Sequence, residues 1–122
     1  MVKKNPFKKD KFEERLLNEI NSLLRTIIRD PRLQFVSITK VELSPDYSYA
    51  TCHWDTFNAG TRGDAKKAIE EARGKLRSEL AKVLEVRHVP SLTFEYDNQY
   101  EEEQKIVKLM KNSEESGDDG SN

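Results

Sequence analysis

Residues 36–56 read VSITKVELSPDYSYATCHWDT, and their pattern decides the fold class of this chain. The first half carries four aliphatic residues that alternate with polar ones and change parity midway, namely Val36, Ile38, Val41 and Leu43. Because successive side chains of a strand point to opposite faces, a shared core requires one extra residue near Thr39-Lys40, which predicts a β-bulge. Ser44-Pro45-Asp46 then supplies the residue types of a turn. This half therefore predicts the first strand of a hairpin.

The second half of the stretch predicts the partner strand. Residues 47–57 are rich in aromatic and β-branched types, which favour strands. Their apolar face consists of Ala50, Cys52 and Trp54, and their polar face consists of Tyr49, Thr51, His53 and Asp55. We therefore expect a hairpin with one buried face and one open face.

An amphipathic helix precedes this hairpin. From Phe12 onward, apolar residues recur at three- and four-residue steps and predict one helical face, formed by Leu16, Ile20, Leu23, Leu24, Ile27 and Ile28. The helix must end near Arg29, because Pro31 cannot continue it and disfavours helical backbone in the residue before it.

A second helical region follows the hairpin and contains a glycine. One apolar phase runs from Ala65 to Leu84 and passes through Gly74. Glycine costs a helix about 1 kcal/mol relative to alanine, so its presence here suggests a kink or a close approach of another backbone. The alternative is that the helix simply tolerates Gly74. Further on, alternating apolar residues predict a third strand, namely Leu92, Phe94 and Tyr96. The expected order is helix, strand, strand, helix, helix, strand.

The charge of the chain is unevenly distributed. A formal net charge of -1, from 21 basic and 22 acidic residues, argues against a nucleic-acid partner, because phosphate binding requires accumulated Lys and Arg. However, residues 1–90 carry 18 basic and 13 acidic groups, whereas residues 91–122 carry 3 and 9. We expect four regions: a flexible basic N-terminal segment (1–10), a single folded domain (11–98), a weakly helical extension (99–111) and a disordered acidic tail (112–122).

The first helix also predicts a basic surface. At about 100° per residue, the face opposite its apolar stripe carries a row without a carboxylate, formed by Lys11, Arg15, Asn18, Ser22, Arg25 and Arg29. Such a row suits the phosphates of a nucleic-acid backbone, but an ordinary solvated helix face has the same composition. Both interpretations stay open. The second helix has a shorter basic edge at Lys66, Arg73 and Arg77.

Catalytic and metal-binding chemistry find little support in the sequence. His53 and His88 lie in unrelated contexts, and Cys52 falls on an apolar strand face, where an inert thiol is expected. One cysteine forms no intramolecular disulfide, and these three residues lack the spacing of a structural zinc site. We find no phosphate-binding glycine motif, no apolar run long enough for a membrane span and no secretory signal. We therefore expect a cytoplasmic protein that is not an enzyme and uses neither metal nor cofactor.

Four separated motifs resemble the ribosome-binding factor A family, small bacterial factors of 30S subunit maturation. In chain order they are Asp30-Pro31-Arg32-Leu33; Val41-Glu42-Leu43-Ser44-Pro45-Asp46 with Tyr49-Ala50; Ala72-Arg73-Gly74-Lys75-Leu76-Arg77; and Arg87-His88-Val89-Pro90-Ser91-Leu92-Thr93-Phe94 with Asp97. The similarity runs from about Phe12 to Tyr100. Trp54 departs from the pattern, since it is bulkier than the aliphatic residue expected there.

This resemblance implies an α+β, type II KH-like fold in the order α-β-β-α-kink-α-β, with three helices packed on one face of a three-stranded sheet. In the family an Ala-x-Gly kink replaces the usual Gly-x-x-Gly loop, and Ala72-Arg73-Gly74 occupies that place here. The resemblance also implies a monomer that binds 16S rRNA in the free 30S subunit, supports growth in the cold and has no catalytic residue, cofactor or membrane partner. It would assist maturation of the 16S rRNA 5′ end and decoding region and leave before translation, with an assembly GTPase as a candidate partner in release.

The expected RNA-binding residues surround this kink. Arg73, Lys75 and Arg77 are the first choice, because glycine lets the backbone beside them approach RNA closely. The supporting set consists of Lys66, Arg25, Arg29, Arg32, Lys11, Arg15, Lys8, Lys9 and Arg87. The alternative is a KH-like RNA-binding or protein-interaction module outside ribosome assembly. A small hydrolase is a further rival, and it would need His53 and His88 in one cleft.

Overall fold

The computed structural model describes residues 8–98, 103 and 105–111, and it confirms the α+β class. Helix α1 continues into a π-helical turn, and the hairpin and the second helical region follow in the predicted order. The elements are α1 (Lys8–Leu23), the π-helical turn (Leu24–Ile28), a 3-10 turn (Pro31–Leu33), β1 (Val36–Leu43), β2 (Tyr49–Thr56), a 3-10 turn (Ala59–Thr61), α2 (Arg62–Leu84) and β3 (Ser91–Tyr96).

The three strands form a mixed sheet in the order β1-β2-β3. The β1 and β2 strands pair antiparallel, with Leu43 opposite Ala50 at the turn end. Their register shifts between Ile38 and Lys40, which confirms the predicted bulge. The β2 and β3 strands pair parallel, and α2 provides the long crossover that a parallel pair requires.

One face of the sheet is buried against the helices, and the other is open. The inward strand residues are buried in one core with residues of α1 and α2: Val36, Ile38, Val41, Leu43, Ala50, Cys52, Trp54, Leu92 and Phe94. Trp54 is only 1% exposed, and its indole meets the Tyr96 ring edge-on, with centroids 5.0 Å apart. The large side chain that departs from the family pattern therefore fills the centre of this core.

Two polar side chains of α1 bind the backbone of β1. The Asn21 amide donates to the Ile38 carbonyl at 3.0 Å and accepts from the Ile38 N–H at 2.8 Å. A carboxylate oxygen of Glu13 accepts from the Leu43 N–H at 2.7 Å. Since β1 lies at the edge of the sheet, these bonds satisfy main-chain groups that no further strand pairs.

The end of α1 differs from the predicted periodicity. The Arg29 N–H donates to the Leu24 carbonyl at 3.2 Å, five residues back, as in a π-helix. This wider turn changes the direction of the last side chains, and Ile27 is 42% exposed. Ile27 was expected on the buried face, and that expectation is wrong because the helical period changes after Leu23.

The second helical region is one helix. Helix α2 runs for 23 residues and includes Ala72-Arg73-Gly74, so helical structure continues across the position of the predicted kink. Ala72 is buried in the core, and a Cβ built at Gly74 would meet no atom within 4 Å. Continuous burial of the apolar face on both sides of Gly74 outweighs the modest helical cost of one glycine.

The predicted outer regions fall partly beyond the described residues. Helix α1 begins at Lys8, within the segment expected to be flexible. Residues 105–111 are helical with exposed side chains. The predicted tail, residues 112–122, lies outside the described part of the chain.

Candidate nucleic-acid interface

The basic row of α1 faces away from the core. The helix buries Leu16, Ile20 and Leu23 on one side. All six members of the row are exposed on the other side: Lys11, Arg15, Asn18, Ser22, Arg25 and Arg29. The periodicity argument therefore placed this row correctly with respect to solvent, although the π-helical turn lies beneath its last two cations.

The basic edge of α2 is exposed in the same way. The helix buries Ala68, Ala72 and Leu76 against the sheet. The residues between them, Lys66, Arg73, Lys75 and Arg77, are exposed. Because α1 and α2 contact each other and cover the same face of the sheet, both basic surfaces lie on the helical side of the molecule.

Two arginines connect this helical side to the end of α2. The Arg15 guanidinium donates to the Val83 carbonyl at 3.3 Å, in the last turn of α2. The Arg77 guanidinium donates to the Val89 carbonyl at 2.9 Å, in the connection to β3. These bonds occupy main-chain acceptors that the helix end and its loop leave unpaired. Arg15 and Arg77 therefore bind the main chain of this protein whether or not a ligand is present.

Arg25 holds the chain between α1 and β1. Its guanidinium donates to the Leu33 carbonyl at 3.1 Å and also to the Val36 carbonyl. Leu33 and Val36 are both buried, so the carbonyls of these residues depend on a protein donor. Sequence reasoning placed Arg25 in the basic row, but the sequence carried no signal for this second role.

Arg32 and Arg73 have carboxylate partners. Arg32 binds Asp30 and Glu71, each at 2.8 Å, and thereby links the 3-10 turn to α2. Its hydrogen bonds lower the pKa of the Asp30 carboxyl, and the same two partners raise the pKa of Arg32. Arg73 pairs with Glu70 one helical turn earlier. These exposed pairs lie within reach of solvent, so phosphate groups can compete for the arginines.

The remaining expected cations are less engaged. Among the residues that the structure describes, no hydrogen bond or ion pair holds the side chains of Lys8, Lys11, Arg29, Lys66, Lys75 and Arg87. Lys9 differs, since it lies near Glu42. A hydrogen bond with His53 and the charges of Lys40 and Lys9 lower the pKa of that carboxyl.

The start of α1 and the end of α2 enclose a cleft of about 520 Å³. Its lining consists of Lys8, Lys11, Phe12, Arg15, Tyr47, Val86, His88 and Pro90. The Phe12 and Tyr47 rings stack with their centroids 5.9 Å apart and their planes 12° from parallel. Sequence reasoning missed this cleft, because its walls come from three distant segments of the chain.

The open face of the sheet has a different character. Alternate strand residues place four carboxylates on or beside this face, namely Glu42, Asp55, Glu95 and Asp97. His53 also lies there and binds Glu42 at 2.7 Å, whereas His88 lines the cleft on the helical side. The two histidines therefore share no cleft, which removes the arrangement that a hydrolase would need.

Cys52 is buried, and desolvation raises the pKa of its thiol to about 12. In the described residues, no group of three or more His, Cys, Asp and Glu side chains is arranged to hold a metal ion. A search of the same residues finds no helix with the length and hydropathy to cross a membrane.

Comparisons with known proteins identify one family. A family model described as ribosome-binding factor A matches residues 8–110. A ribosome-binding factor A of Neisseria gonorrhoeae is 37% identical over 103 residues, which cover 84% of each chain. That of Lactococcus lactis is 38% identical over 109 residues, covering 88% of this chain and 92% of the relative.

Solved structures of similar fold carry the same description. The crystal structure of ribosome-binding factor A from Thermus thermophilus has a TM-score of 0.65 at 26% identity, covering 72% of this chain and 94% of that one. The solution structure from Thermotoga maritima has a TM-score of 0.65 at 29% identity, covering 76% and 91%. A Thermus thermophilus homology model fitted into a cryo-EM map of a complex with 30S has a TM-score of 0.60 at 26% identity, covering 72% and 93%.

Proposed function

Because this chain belongs to the ribosome-binding factor A family, we propose that it binds the small ribosomal subunit during maturation of that subunit. It contacts 16S rRNA, assists maturation of the 5′ end and the decoding region, and leaves before translation begins. It acts in the cytoplasm as a monomer that binds rather than catalyses, without a cofactor, and an assembly GTPase promotes its release. The Thermus relative fitted into the map of a 30S complex supports the choice of particle.

One observation carries the assignment of the RNA-binding surface, namely the opposite charge of the two sides. On the helical side, cations outnumber carboxylates, although Glu14, Asp64 and Glu71 are exposed there as well. On the open face of the sheet, carboxylates outnumber cations. A nucleic-acid backbone repels the second surface and attracts the first, so the helical side faces the rRNA. Phosphate contacts of this kind position a protein on RNA of a particular shape without reading bases.

The proposed contacts differ in how freely they can reach phosphate. Lys8, Lys11, Arg29, Lys66, Lys75 and Arg87 form the primary set, because their side chains have no partner within the described residues. A secondary set consists of arginines that already form internal bonds, namely Arg15, Arg25, Arg32, Arg73 and Arg77. Each guanidinium has five N–H groups, so the donors that remain unused can still bind phosphate. Lys9 completes the set at its edge.

Co-sedimentation with 30S, 50S and 70S particles across a salt series tests this proposal. The full chain should bind 30S selectively and lose affinity as salt rises. The variant Lys66→Glu with Lys75→Glu should weaken 30S binding at least about tenfold and lower the salt slope by about 1.5, since each lost phosphate contact removes about 0.7–0.9 from that slope. Neither lysine has an internal partner in the described chain, so thermal unfolding should change little, by the few tenths of a kcal/mol that each new like-charge neighbour on α2 costs.

Lys40→Glu is the matched control, because Lys40 is an exposed lysine of β1 beside Glu42, on the acidic sheet side. It should leave 30S binding within about twofold. Equal loss in the control and the double variant would mean that overall charge, not the helical side, determines binding. Salt-insensitive binding, or equal binding to all three particles, would favour the alternative of an interaction module outside ribosome assembly.

A further inference from the structure

The cleft between α1 and the end of α2 combines an apolar wall with a basic rim. Phe12 and Tyr47 form a stacked aromatic pair, and Val86 and Pro90 complete the apolar lining. Its volume of about 520 Å³ lies within the range of small-ligand sites. An apolar surface that remains open in the free chain suits a flat, weakly polar group that can stack on it.

The backbone at Tyr47 shows that the aromatic wall has a conformational cost. Tyr47 has a φ of 65°, a left-handed conformation that bulky side chains rarely adopt. The turn holds it there, because the Tyr47 N–H donates to the Ser44 carbonyl at 2.9 Å. The Asp46 carboxylate accepts from the hydroxyls of Ser44 and Ser48 at 2.8 and 2.7 Å. Glycine or asparagine would adopt this conformation at lower energetic cost. The residue at this position is nevertheless a tyrosine, and its ring stacks on Phe12.

The rim of the cleft carries positive charge. Lys8, Lys11 and Arg15 line it from one side of α1, and His88 lines it from the connection to β3. Of the described residues, those that line the cleft include no Asp or Glu. Arg15 uses one bond to the Val83 carbonyl, which fixes its guanidinium at the cleft and leaves other N–H donors available.

We propose that this cleft binds one unpaired nucleotide of RNA, with its base on the Phe12–Tyr47 wall and its phosphates on Lys8, Lys11 and Arg15. The inference rests on the proposed function and adds a site that distinguishes single-stranded from double-stranded RNA. A paired base is stacked inside a duplex and cannot enter, whereas an unpaired base is free to stack on an aromatic side chain. The site therefore selects a bulged or single-stranded nucleotide among the phosphates that the helical side contacts.

Fluorescence anisotropy with labelled RNA tests this cleft directly in the full chain. The probes are a single-stranded hexamer of uridine or adenosine and a blunt RNA duplex of matched phosphate number. We expect tighter binding to the single strands. Tyr47→Leu keeps an apolar side chain and the same backbone strain but removes the flat ring, so it should lower single-strand affinity about five- to hundredfold. Its salt slope should stay unchanged, because the phosphate contacts remain.

Two further variants serve as controls for the Tyr47 ring. Tyr47→Phe keeps the ring and loses only the hydroxyl, so it should bind single strands like the original chain. Tyr49→Leu removes an aromatic ring that is 60% exposed and lies two residues away, on the open face of the sheet. It should have no effect on RNA binding.

Several results would overturn the cleft proposal. One is equal affinity of the original chain for the single strands and the duplex. Another is equal single-strand affinity of Tyr47→Leu and the original chain. A third is a loss of single-strand affinity in Tyr47→Phe that matches the loss in Tyr47→Leu. Binding of an apolar peptide in place of RNA would assign the cleft to a protein partner and would also reject it. If the original chain binds 30S but its affinity for the hexamers does not depend on Tyr47, the cleft proposal fails and the proposed function stands. If the original chain does not bind 30S, the proposed function fails, and the hexamer affinities still test the cleft proposal.

Discussion

Arg25 should contribute more to stability than any other member of the basic row of α1. Its guanidinium donates to the Leu33 and Val36 carbonyls, and no other described residue of the row binds two main-chain groups. A hydrogen bond to a charged group contributes about 1.5–3 kcal/mol, and the exposed position of Arg25 favours the lower value. Removal of both bonds in Arg25→Ala should therefore lower the free energy of unfolding by about 3 kcal/mol. For a domain of this size that corresponds to a Tm lower by roughly 8–12 °C.

The matched control is Arg29→Ala, which removes the next cation of the same row. The Arg29 side chain has no partner in the described chain, so its loss should change stability by less than about 0.5 kcal/mol. Urea unfolding can be followed by fluorescence of Trp54, the single tryptophan, which lies in the core. If Arg25→Ala and Arg29→Ala unfold at the same urea concentration, the two carbonyl bonds have no energetic importance and the reasoning is refuted.

Two other side chains give separate predictions. Cys52 should resist an aromatic disulfide reagent in the native protein, because the thiol is buried and burial raises its pKa to about 12. In urea it should react at the rate of global unfolding, and rapid labelling of the native protein would contradict the burial. Hydrogen bonds from Ser48 and Ser44 lower the pKa of Asp46 to about 2, so its carboxylate stabilises the turn above its ordinary pKa of 3.8 and loses this effect as pH falls towards 2. The difference in urea midpoint between the original chain and Asp46→Ala should therefore be constant from pH 7 to 5 and shrink between pH 4 and 2. A difference that grows in acid would reverse the sign and reject the argument.

Local pattern was sufficient for much of the architecture. The change of parity between Ile38 and Val41 predicted the bulge, and the register confirms it, because a strand with one buried face has little freedom in which residues point inward. The same reasoning found the exposed side of α1. It failed at Ile27, where the hydrogen-bonding geometry of the π-helical turn decides the outcome rather than the period of the sequence. At Gly74 it found the continuous apolar phase but left the role of the glycine open, and the helix continues through that residue.

The candidate interface shows a different limit of sequence reasoning. Lys and Arg counts by segment located the net basic region, residues 1–90, since charge is a property of residue types. Which cations are engaged was not predictable, because Arg15 bonds a residue 68 positions away and Arg32 bonds one 39 positions away. The Phe12–Tyr47 wall likewise joins side chains that no local motif connects.

The sequence by itself determined the element order, the bulge, the buried faces and the uneven charge, because each follows from the periodicity of side chains or from residue type. Only the tertiary structure decided that α2 is continuous, that basic and acidic surfaces occupy opposite sides, and which arginines hold internal partners, among them Arg15, Arg25 and Arg32. It also decided that three distant segments enclose a basic, aromatic cleft. These features depend on contacts between residues far apart in the chain, and such contacts are set by the packing of helices on the sheet.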